Sequence, residues 1–280
     1  SNNICLKVMM TDRAGNTTTK EIKFSIDKSS PNIAIVYDEK EVHDSTNTDF
    51  FSTDRTATIT IKERNFRASD VEFAITNTDK VIPNVDLTDD KTWTKTVDES
   101  NPDNTTYVAK IPYTADGDYT FDISFKDNAE NPANTVAQHK FTIDKTVPTV
   151  AVSYDNMSAM NGNYYKAART ATITIKEHNF DASRVNVIGV ATDNGAASRF
   201  PVTSAWRDNG NDTHTATIAY TADSKYTFDI EFHDMANNSI ADYTPEEFYV
   251  DKTAPNLSIT GVADQSANNG DVAPVITFTD

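Results

Sequence analysis

The sequence has a single cysteine, Cys5, among its 280 residues. One cysteine cannot form an intrachain disulfide, so the chain is unlike the small disulfide-stapled domains of many animal extracellular proteins. It also has no uninterrupted apolar stretch of about eighteen residues, the length that a membrane-spanning helix requires. These absences exclude a disulfide framework and predict no membrane insertion in this segment.

Basic residues are scarce: 25 Lys and Arg stand against 42 Asp and Glu, which gives a formal net charge of −17. A nucleic-acid-binding protein needs a basic surface that displaces phosphate counterions, so we expect no nucleic-acid partner. A strongly acidic chain is soluble and concentrates cations such as calcium near its surface. Calcium is therefore the cofactor that the composition favours.

Signatures of catalysis are also missing. The chain has only 8 glycines, and none of them forms a Gly-x-Ser-x-Gly elbow or a glycine-rich phosphate loop. The histidines are not spaced as a zinc site requires. Carboxylates lie close together in many places, but at this acidity their proximity in sequence carries no acid–base information. We expect no catalytic residue and no enzyme activity.

What the chain does contain is repetition. Residues 55–66 and 169–180 agree at eleven of twelve positions and lie 114 residues apart. A second block, residues 113–129, recurs at 220–236 with an offset of 107. A period near 110 is too long for a solenoid repeat and matches one whole small domain. The chain is therefore predicted to be an array of copied domains.

The repeated segments alternate between apolar and polar residues. Residues 56–61 place Ala57, Ile59 and Ile61 on one face and threonines on the other, and residues 119–125 alternate in the same way. A period of two with β-branched and aromatic residues is typical of half-buried strands. No stretch of helical length has a comparable 3.6-residue period. The sequence therefore predicts an all-β protein.

Seven strands can be assigned in the first complete copy. They are A (32–37), B (56–62), C (71–76), a D region (93–97), E (107–113), F (119–126) and G (135–143). Seven short strands in about 110 residues are typical of an immunoglobulin-like β-sandwich. Tyr119, two residues after Gly117, resembles a tyrosine corner at the start of strand F, and the second copy keeps Tyr226. We expect tandem seven-stranded immunoglobulin-like sandwiches arranged as an extended rod.

A third recurring phrase marks the domain boundaries. Residues 24–31, 141–148 and 248–255 each read Phe, then Ile or Val, Asp-Lys, and a proline three residues later. Each proline fixes φ in a short connector before the next strand A. The predicted organisation comprises strands F and G of a preceding repeat (1–27), domain 1 (28–144), domain 2 (145–251) and the start of a following domain (252–280).

Two motifs carry a family resemblance: the F–G turn of the form Asp-x-Ala-Gly-Asn at residues 12–16, and the phrase Asp-Lys-Thr-x-Pro that follows a strand at residues 144–148 and 251–255. Together they resemble the bacterial Ig-like tandem repeats of large cell-surface proteins and adhesins, in particular Gram-positive ones. The resemblance implies an extracellular, cell-surface, wall-attached or secreted protein. It implies a non-catalytic stalk that spaces or presents other domains of the same polypeptide. The alternatives are an adhesin or carbohydrate-binding module that contacts a host or cell-wall glycan or protein, and an accessory region of an extracellular glycan-active enzyme.

In such a sandwich the B–C and F–G loops lie at the end where the chain enters, beside the last residues of the preceding strand G. Three carboxylates and two amides are thereby expected to converge at each junction, and calcium takes six to eight oxygen ligands of these kinds. Without a cation, the carboxylates would repel one another and some pKa values would rise. The predicted calcium ligands are Asp27, Glu63, Asn65, Asp127 and Asn131 at the first junction, and Asp144, Glu177, Asn179, Asp234 and Asn238 at the second.

Related bacterial Ig-like adhesin repeats are similar in using linker aspartates to bind calcium. The alternative is that each group has a local role. Asp127 and Asp234 would shape the F–G turns through Asx hydrogen bonds, and Glu63 and Glu177 would be solvated. Asp27 and Asp144 would then pair with the lysines that follow them, Lys28 and Lys145.

Aromatic residues offer a second kind of site. Phe50-Phe51 and Tyr164-Tyr165 occupy matching places before strand B, and Trp93 matches Trp206. An exposed platform of Tyr164, Tyr165 and Trp206 would suit stacking on a glycan. The alternative is that one ring of each pair fills the sandwich edge and the tryptophans cap the core, which their occurrence in both copies favours.

Overall fold

The alternating segments form strands. The computed structural model describes residues 4–38 and 49–280, so residues 39–48 of predicted domain 1 lie outside the description. The chain divides into two units, Ser1–Thr146 and Val147–Asp280. The first contains β1 (Ile4–Thr11), β2 (Thr17–Phe24), β3 (Asn32–Tyr37), β4 (Phe50–Phe51), β5 (Arg55–Lys62), β6 (Val71–Asn77), β7 (Thr94–Thr96), β8 (Thr106–Tyr113), β9 (Gly117–Phe125) and β10 (His139–Ile143), with 3₁₀ turns at Ala68–Asp70, Asp90–Thr92 and Pro102–Asn104.

The first unit contains a sandwich of two four-stranded sheets. One sheet has the order β3-β5-β8-β7 and the other β4-β10-β9-β6. The pairs are antiparallel except for β4, which runs parallel to β10. This is the A-B-E-D and G-F-C arrangement of an immunoglobulin-like sandwich, with β4 added as an extra short strand on the G edge. The all-β, immunoglobulin-like fold predicted from the sequence is confirmed.

The second unit repeats this topology and extends it. It contains β11 (Thr149–Tyr154), β12 (Tyr164–Tyr165), β13 (Arg169–Lys176), β14 (Asn186–Asp193), β15 (Ala196–Ser198), β16 (Arg207–Asp208), β17 (Thr213–Tyr220), β18 (Ser224–Glu231), β19 (Phe248–Val250), β20 (Asn256–Thr260) and β21 (Val275–Thr279), with a 3₁₀ turn at Ala182–Arg184. The sheets have the orders β11-β13-β17-β16 and β12-β19-β18-β14-β15. Strand β15 is an addition on the edge of strand C.

The core of each sandwich lies between its two sheets, on the face that the alternation predicts. Ala57, Ile59 and Ile61 are all 0% exposed, and Phe121 on the opposite sheet is buried with them. The Tyr119 hydroxyl donates to the carbonyl of the residue four positions earlier at 2.9 Å, and Tyr226 does the same at 3.0 Å. The predicted tyrosine corner is present in both copies.

The first residue of each repeated segment is an arginine held among aromatic rings. The Arg169 side chain is 1% exposed, and its guanidinium carbon lies 3.6 Å from the ring centre of Tyr154 and 4.2 Å from that of Tyr165. Its Nη1 donates to Glu246 at 2.8 Å. Arg55 lies over Tyr37, Phe51 and Phe141 in the same way. The positive charge of each arginine is thus stabilised by the faces of aromatic rings. In the second copy the partly exposed carboxylate of Glu246 also stabilises it.

Strand G is shorter than the predicted 135–143, because β10 begins at His139. Near the F–G turn, Ala133 donates to the Phe125 carbonyl at 2.9 Å, whereas further along Phe121 faces His139. The pairing register therefore shifts by two residues between these points, which makes a bulge on strand G. Bulges re-aim the strand and interrupt its pairing.

The bulge connects the two sheets at their edge. Asn134 accepts a hydrogen bond from the Ile33 amide at 2.7 Å and donates to the Ile33 carbonyl at 3.1 Å. One side chain thereby takes the place of a backbone partner for strand A. Both backbone groups of Ile33 are satisfied without a continuous strand beside them.

Two hairpins lie outside the complete sandwiches. In the first unit β1 pairs with β2, and in the second β20 pairs with β21, both antiparallel. The sequence assigned these segments to a preceding and a following repeat. Within the described ranges, no helix has the length and hydrophobicity needed to cross a bilayer.

Candidate metal centre

The ends of three segments in the first unit bring Asp27, Glu63 and Asp127 together. Glu63 follows β5 directly, Asp127 begins the turn after β9, and Asp27 follows β2. One carboxylate oxygen from each residue lies within 4.8 Å of the other two. Glu63 and Asp127 are each 3% exposed, and Asp27 is half-buried. The first predicted set of carboxylates therefore converges on one small volume, which we call the carboxylate cluster.

Asp127 shapes the turn and still faces its neighbours. Its Oδ1 accepts hydrogen bonds from the amides of Ala129 at 2.8 Å and Asn131 at 2.9 Å, and its Oδ2 accepts from the Asn131 side chain at 2.9 Å. Asp12 makes the same three contacts in the hairpin β1–β2. The Asx role is therefore present. A carboxylate has about four lone-pair sites, so these bonds leave capacity on Oδ2 for a cation.

Glu63 is buried rather than solvated, so the local-role alternative is wrong for this residue. Its Oε1 accepts the Asn65 amide at 2.6 Å. Burial is the largest effect on its pKa and raises it, and the negative charges of Asp27 and Asp127 raise it further. The charged form of Glu63 is thus less favourable here than in water, and a cation among the three carboxylates would favour it.

The two amides of the predicted set complete the cluster. The Asn65 side chain donates to Asp27 Oδ2, and the Asn131 side chain donates to the Asp27 carbonyl at 3.3 Å. Rotating either amide would turn its oxygen toward the cluster. Three carboxylates, two amides and a backbone carbonyl are the donor types that calcium binds, and calcium takes six to eight oxygens. The residues present fit this ion.

The second unit repeats the local geometry at Glu177 and Asp234, which are 4% and 0% exposed. Glu177 accepts the Asn179 amide at 2.7 Å, and Asp234 accepts the amide and the side chain of Asn238, both at 2.8 Å. Glu177 is also buried rather than solvated. Asp144 follows β10 of the first unit and is 5% exposed. Its grouping with the other members of the second predicted set stays a prediction.

Lys145, in the boundary phrase at residues 141–148, contacts other groups than Asp144, the partner that the local-role alternative gave it. Lys145 donates to Asp54 at 2.8 Å and to the Thr114 carbonyl at 2.6 Å, and lies 3.8 Å from Asp116. The Thr146 hydroxyl donates to Asp116 at 3.0 Å. The segment that leaves the sandwich is therefore fastened to the E–F loop, which is formed by the repeated Tyr-Thr-Ala-Asp block.

The second unit has the same fastening. Lys252 donates to the Thr221 carbonyl and lies 3.7 Å from Asp223, and the Thr253 hydroxyl donates to Asp223 at 2.6 Å. These contacts hold down the pKa of Asp223, chiefly through the Thr253 hydrogen bond. The boundary phrase and the Tyr-Thr-Ala-Asp block recur together in both copies. This joint recurrence is the signal in the sequence that the two segments contact each other.

The aromatic candidates do not share one surface. Tyr165 is 6% exposed and lies in the core, so it offers no free ring face. Tyr164 is 43% exposed and stacks on Tyr249 with ring centres 4.2 Å apart. Trp206 is half-buried against Phe180. Phe180 follows the last residue of β13, whereas Tyr164 and Tyr165 precede its first residue. Among the three, Tyr164 and Trp206 retain exposed ring surface, at opposite ends of the sandwich.

The protein consists of immunoglobulin-like β-sandwiches, and in the first unit carboxylates of the B–C loop, the F–G loop and the entering segment lie close together. Residues 103–220 match the model of the bacterial Ig-like domain (group 3) family. A comparison with curated proteins gives no match. Among solved structures, the chain is similar to invasin, described as a bacterial integrin-binding protein, at 13% identity and a TM-score of 0.41. That alignment covers 97% of this chain and 49% of invasin, so the chain spans about half of that protein's length.

Proposed function

We propose that this chain is a non-catalytic segment of a bacterial surface or secreted protein, in which Ig-like repeats space or present other domains of the same polypeptide. The observation that carries the proposal is the fastening of each exit segment to its own sandwich. Lys145 and Thr146 in one copy, and Lys252 and Thr253 in the other, contact the preceding E–F loop. A spacer requires such control over the direction in which the chain leaves each domain.

Bound calcium would fix the direction in which the chain enters a domain, as the lysine and threonine contacts fix the direction in which it leaves. In the carboxylate cluster, Asp27 belongs to the segment that enters domain 1, whereas Glu63 and Asp127 belong to the domain itself. An ion bound by all three would tie the entering segment to the B–C and F–G loops. We propose one calcium ion for this set and one for the second predicted set, which would limit bending at the junctions.

The test is small-angle X-ray scattering from the whole chain. The spacer proposal predicts an elongated particle in calcium and a smaller radius of gyration in EDTA. Replacing the fastening pair with Lys145→Met and Thr146→Val should also reduce the radius of gyration in calcium. Lys110→Met, at an exposed position of β8, is the matched control and should leave it unchanged. A compact particle in calcium would refute the proposal.

A second candidate function is adhesion through a glycan or a host protein. The exposed Tyr164 ring, backed by Tyr249 at an interplanar angle of 7°, is the observation that favours it. Sugar rings stack on such aromatic faces. The test is binding to arrays of glycans and host proteins: a saturable signal should be lost in Tyr164→Ala and kept in Tyr164→Phe. A signal that survives Tyr164→Ala would place the contact elsewhere.

A further inference from the structure

Strand β6 forms an open edge of the first sandwich, at the end of the sheet β4-β10-β9-β6. The Thr78 amide donates to the Asp118 carbonyl at 3.2 Å, so the even-numbered positions of this strand direct their backbone groups toward β9. Backbone groups alternate in direction along an antiparallel strand, and those of Phe73 and Ile75 therefore point away from the sheet. Among the residues that the structure describes, these groups have no backbone hydrogen-bond partner.

The other described edges of this sandwich are short or blocked. Strands β4 and β7 have two and three residues. On β3, the Asn134 side chain bonds both backbone groups of Ile33. Short edge strands, covered edges, lysine, proline and bulges are the devices that keep a sheet from pairing with another chain. Strand β6 is seven residues long and contains no lysine, proline or bulge.

The segment that follows β6 turns into the core instead of pairing with the edge. The Lys80 amide donates to the Asn77 carbonyl at 3.0 Å and closes a turn at the end of the strand. Further on, Leu87 is buried in the core and Val85 packs against the same cluster. The Leu87 carbonyl accepts a hydrogen bond from Trp93 Nε1 at 2.9 Å. The backbone of this segment is therefore used elsewhere, and the edge of β6 is left open.

The corresponding edge of the second sandwich has a neighbour. Strand β14 takes the place of β6, and Ala191 takes that of Asn77. There β15 pairs with the residues from Ala191 to Asp193, and the Phe200 ring lies against Gly189. A second copy of β14 laid along this edge would meet β15. The unprotected edge is therefore particular to the first sandwich.

The sequence of β6 is complementary to itself in the antiparallel direction. With Ala74 on a two-fold axis, Phe73 of each copy faces Ile75 of the other, and the outward backbone groups of each pair bond one another. Ala74 then faces its own counterpart with Cα atoms about 4.5 Å apart, a separation that two methyl groups fit. Glu72 faces Thr76, so no like charges are opposed. A pairing centred on Glu72 would oppose two carboxylates and use fewer residues.

Apolar burial acts in the same direction. Phe73 and Ile75 are half-buried in the single copy and pack at the margin of the core. Residues of the same parity share one face of a strand, so the pairing would place each of these side chains beside the other on the inner face. Their remaining exposed surface would then leave water, which favours association.

We propose that two copies of this chain associate through β6, whose antiparallel pairing about Ala74 joins the two four-stranded sheets into one. A two-fold interface of this kind is closed, so assembly stops at a dimer. Two strand edges cover less than the roughly 800 Å² per partner of a standard stable interface, so the dimer forms only at high concentration. The pairing uses neither the carboxylate cluster nor Tyr164, and it stands apart from the functions proposed above.

The test is sedimentation equilibrium of the whole chain over a wide concentration range. Ala74→Lys places two like charges opposite each other on the two-fold axis and should keep the chain monomeric, and Ala74→Glu should do the same. Ala74 is exposed in the single copy, so the melting of the sandwich should be unchanged. Ile188→Lys, at the corresponding exposed position of the second sandwich, is the matched control and should dimerise like the unmodified chain.

The unmodified chain should pass from monomer to dimer as its concentration rises. An equimolar mixture of Ala74→Lys and Ala74→Glu should form a dimer that neither variant forms alone, because lysine then faces glutamate. Three results would overturn the proposal. One is a monomer at every concentration up to millimolar, which would leave the edge to a strand of another protein. The others are dimerisation of Ala74→Lys by itself and a mixture that stays monomeric.

Discussion

Replacing Glu63 by glutamine should have opposite effects on stability with and without calcium. Glutamine keeps an oxygen that can accept the Asn65 amide, as Glu63 Oε1 does at 2.6 Å, but it removes one of three negative charges. In EDTA the substitution relieves repulsion and should raise the melting temperature of the first sandwich. In calcium it removes a ligand and should lower it. A residue with only a packing role would not change sign in this way.

The size of the effect follows from the distances in the cluster. The three oxygens lie within 4.8 Å of one another. At that separation a pair of unit charges repels by about 1 kcal/mol in water and about 3 kcal/mol at an effective dielectric constant near 20. Glu63 faces two carboxylates, so the substitution removes two such pairs. The resulting gain of about 2 to 6 kcal/mol in EDTA corresponds to a rise in melting temperature of roughly 8 °C or more for a domain of this size.

The pH dependence of stability is a second test of the repulsion at Glu63. The pKa of Glu63 is raised above its ordinary value of 4.5, so the folded state binds its proton more tightly than the unfolded state does. Its contribution to stability is therefore largest below 4.5 and is lost as pH rises through the raised pKa. In EDTA, the advantage of Glu63→Gln over the unmodified chain should grow as pH rises from about 4.5 to 7.

Trp93 provides the assay, because it packs on Phe66 in the first sandwich with ring centres 5.0 Å apart. In a Trp206→Phe background, its fluorescence follows the melting of that sandwich alone. Glu99→Gln, at an exposed position, is the matched control and should not differ between EDTA and calcium. A Glu63→Gln variant that melts lower in EDTA would refute the repulsion argument.

Three further substitutions test the packing through urea unfolding of the whole chain. Tyr119→Phe removes the hydrogen bond to the Ala115 carbonyl and should cost about 1 kcal/mol, whereas no loss would show that the corner contributes nothing. Asn134→Ala leaves the Ile33 backbone without its partner and should cost about 1 to 3 kcal/mol, and an unchanged midpoint would contradict its bridging role. Arg169→Met removes the guanidinium from its aromatic surroundings and should cost about 2 kcal/mol, and a stabilised protein would contradict the cation–π account.

Much of the fold could be predicted from the sequence because its signals are local. Alternation at Ala57, Ile59 and Ile61 identified strand B and its buried face. The repeats indicated the size of one domain, and seven short strands within that length indicated the sandwich. The convergence of Asp27, Glu63 and Asp127 also followed, because strand direction determines which loops share an end. Periodicity and topology were sufficient for these features.

Other features depend on pairing choices that the alternation does not encode. The two-residue bulge before His139 looks like a longer strand in the sequence, since only the spacing between two hydrogen-bonded pairs reveals it. The added strand β15 was missed, although Asn194-Gly195, at φ values of 46° and 79°, is a strong hairpin signal. The contact of Lys145 with Asp54 joins residues 91 positions apart, which no local pattern predicts.

Calorimetric titration of the whole chain with calcium tests directly whether the carboxylate cluster binds an ion that ties the entering segment to the domain. We expect binding of one ion for each predicted set. Glu63→Gln should remove the binding of one ion, and Glu99→Gln should remove none. A titration without binding at millimolar calcium, or binding that Glu63→Gln leaves unchanged, would contradict a calcium site in the cluster.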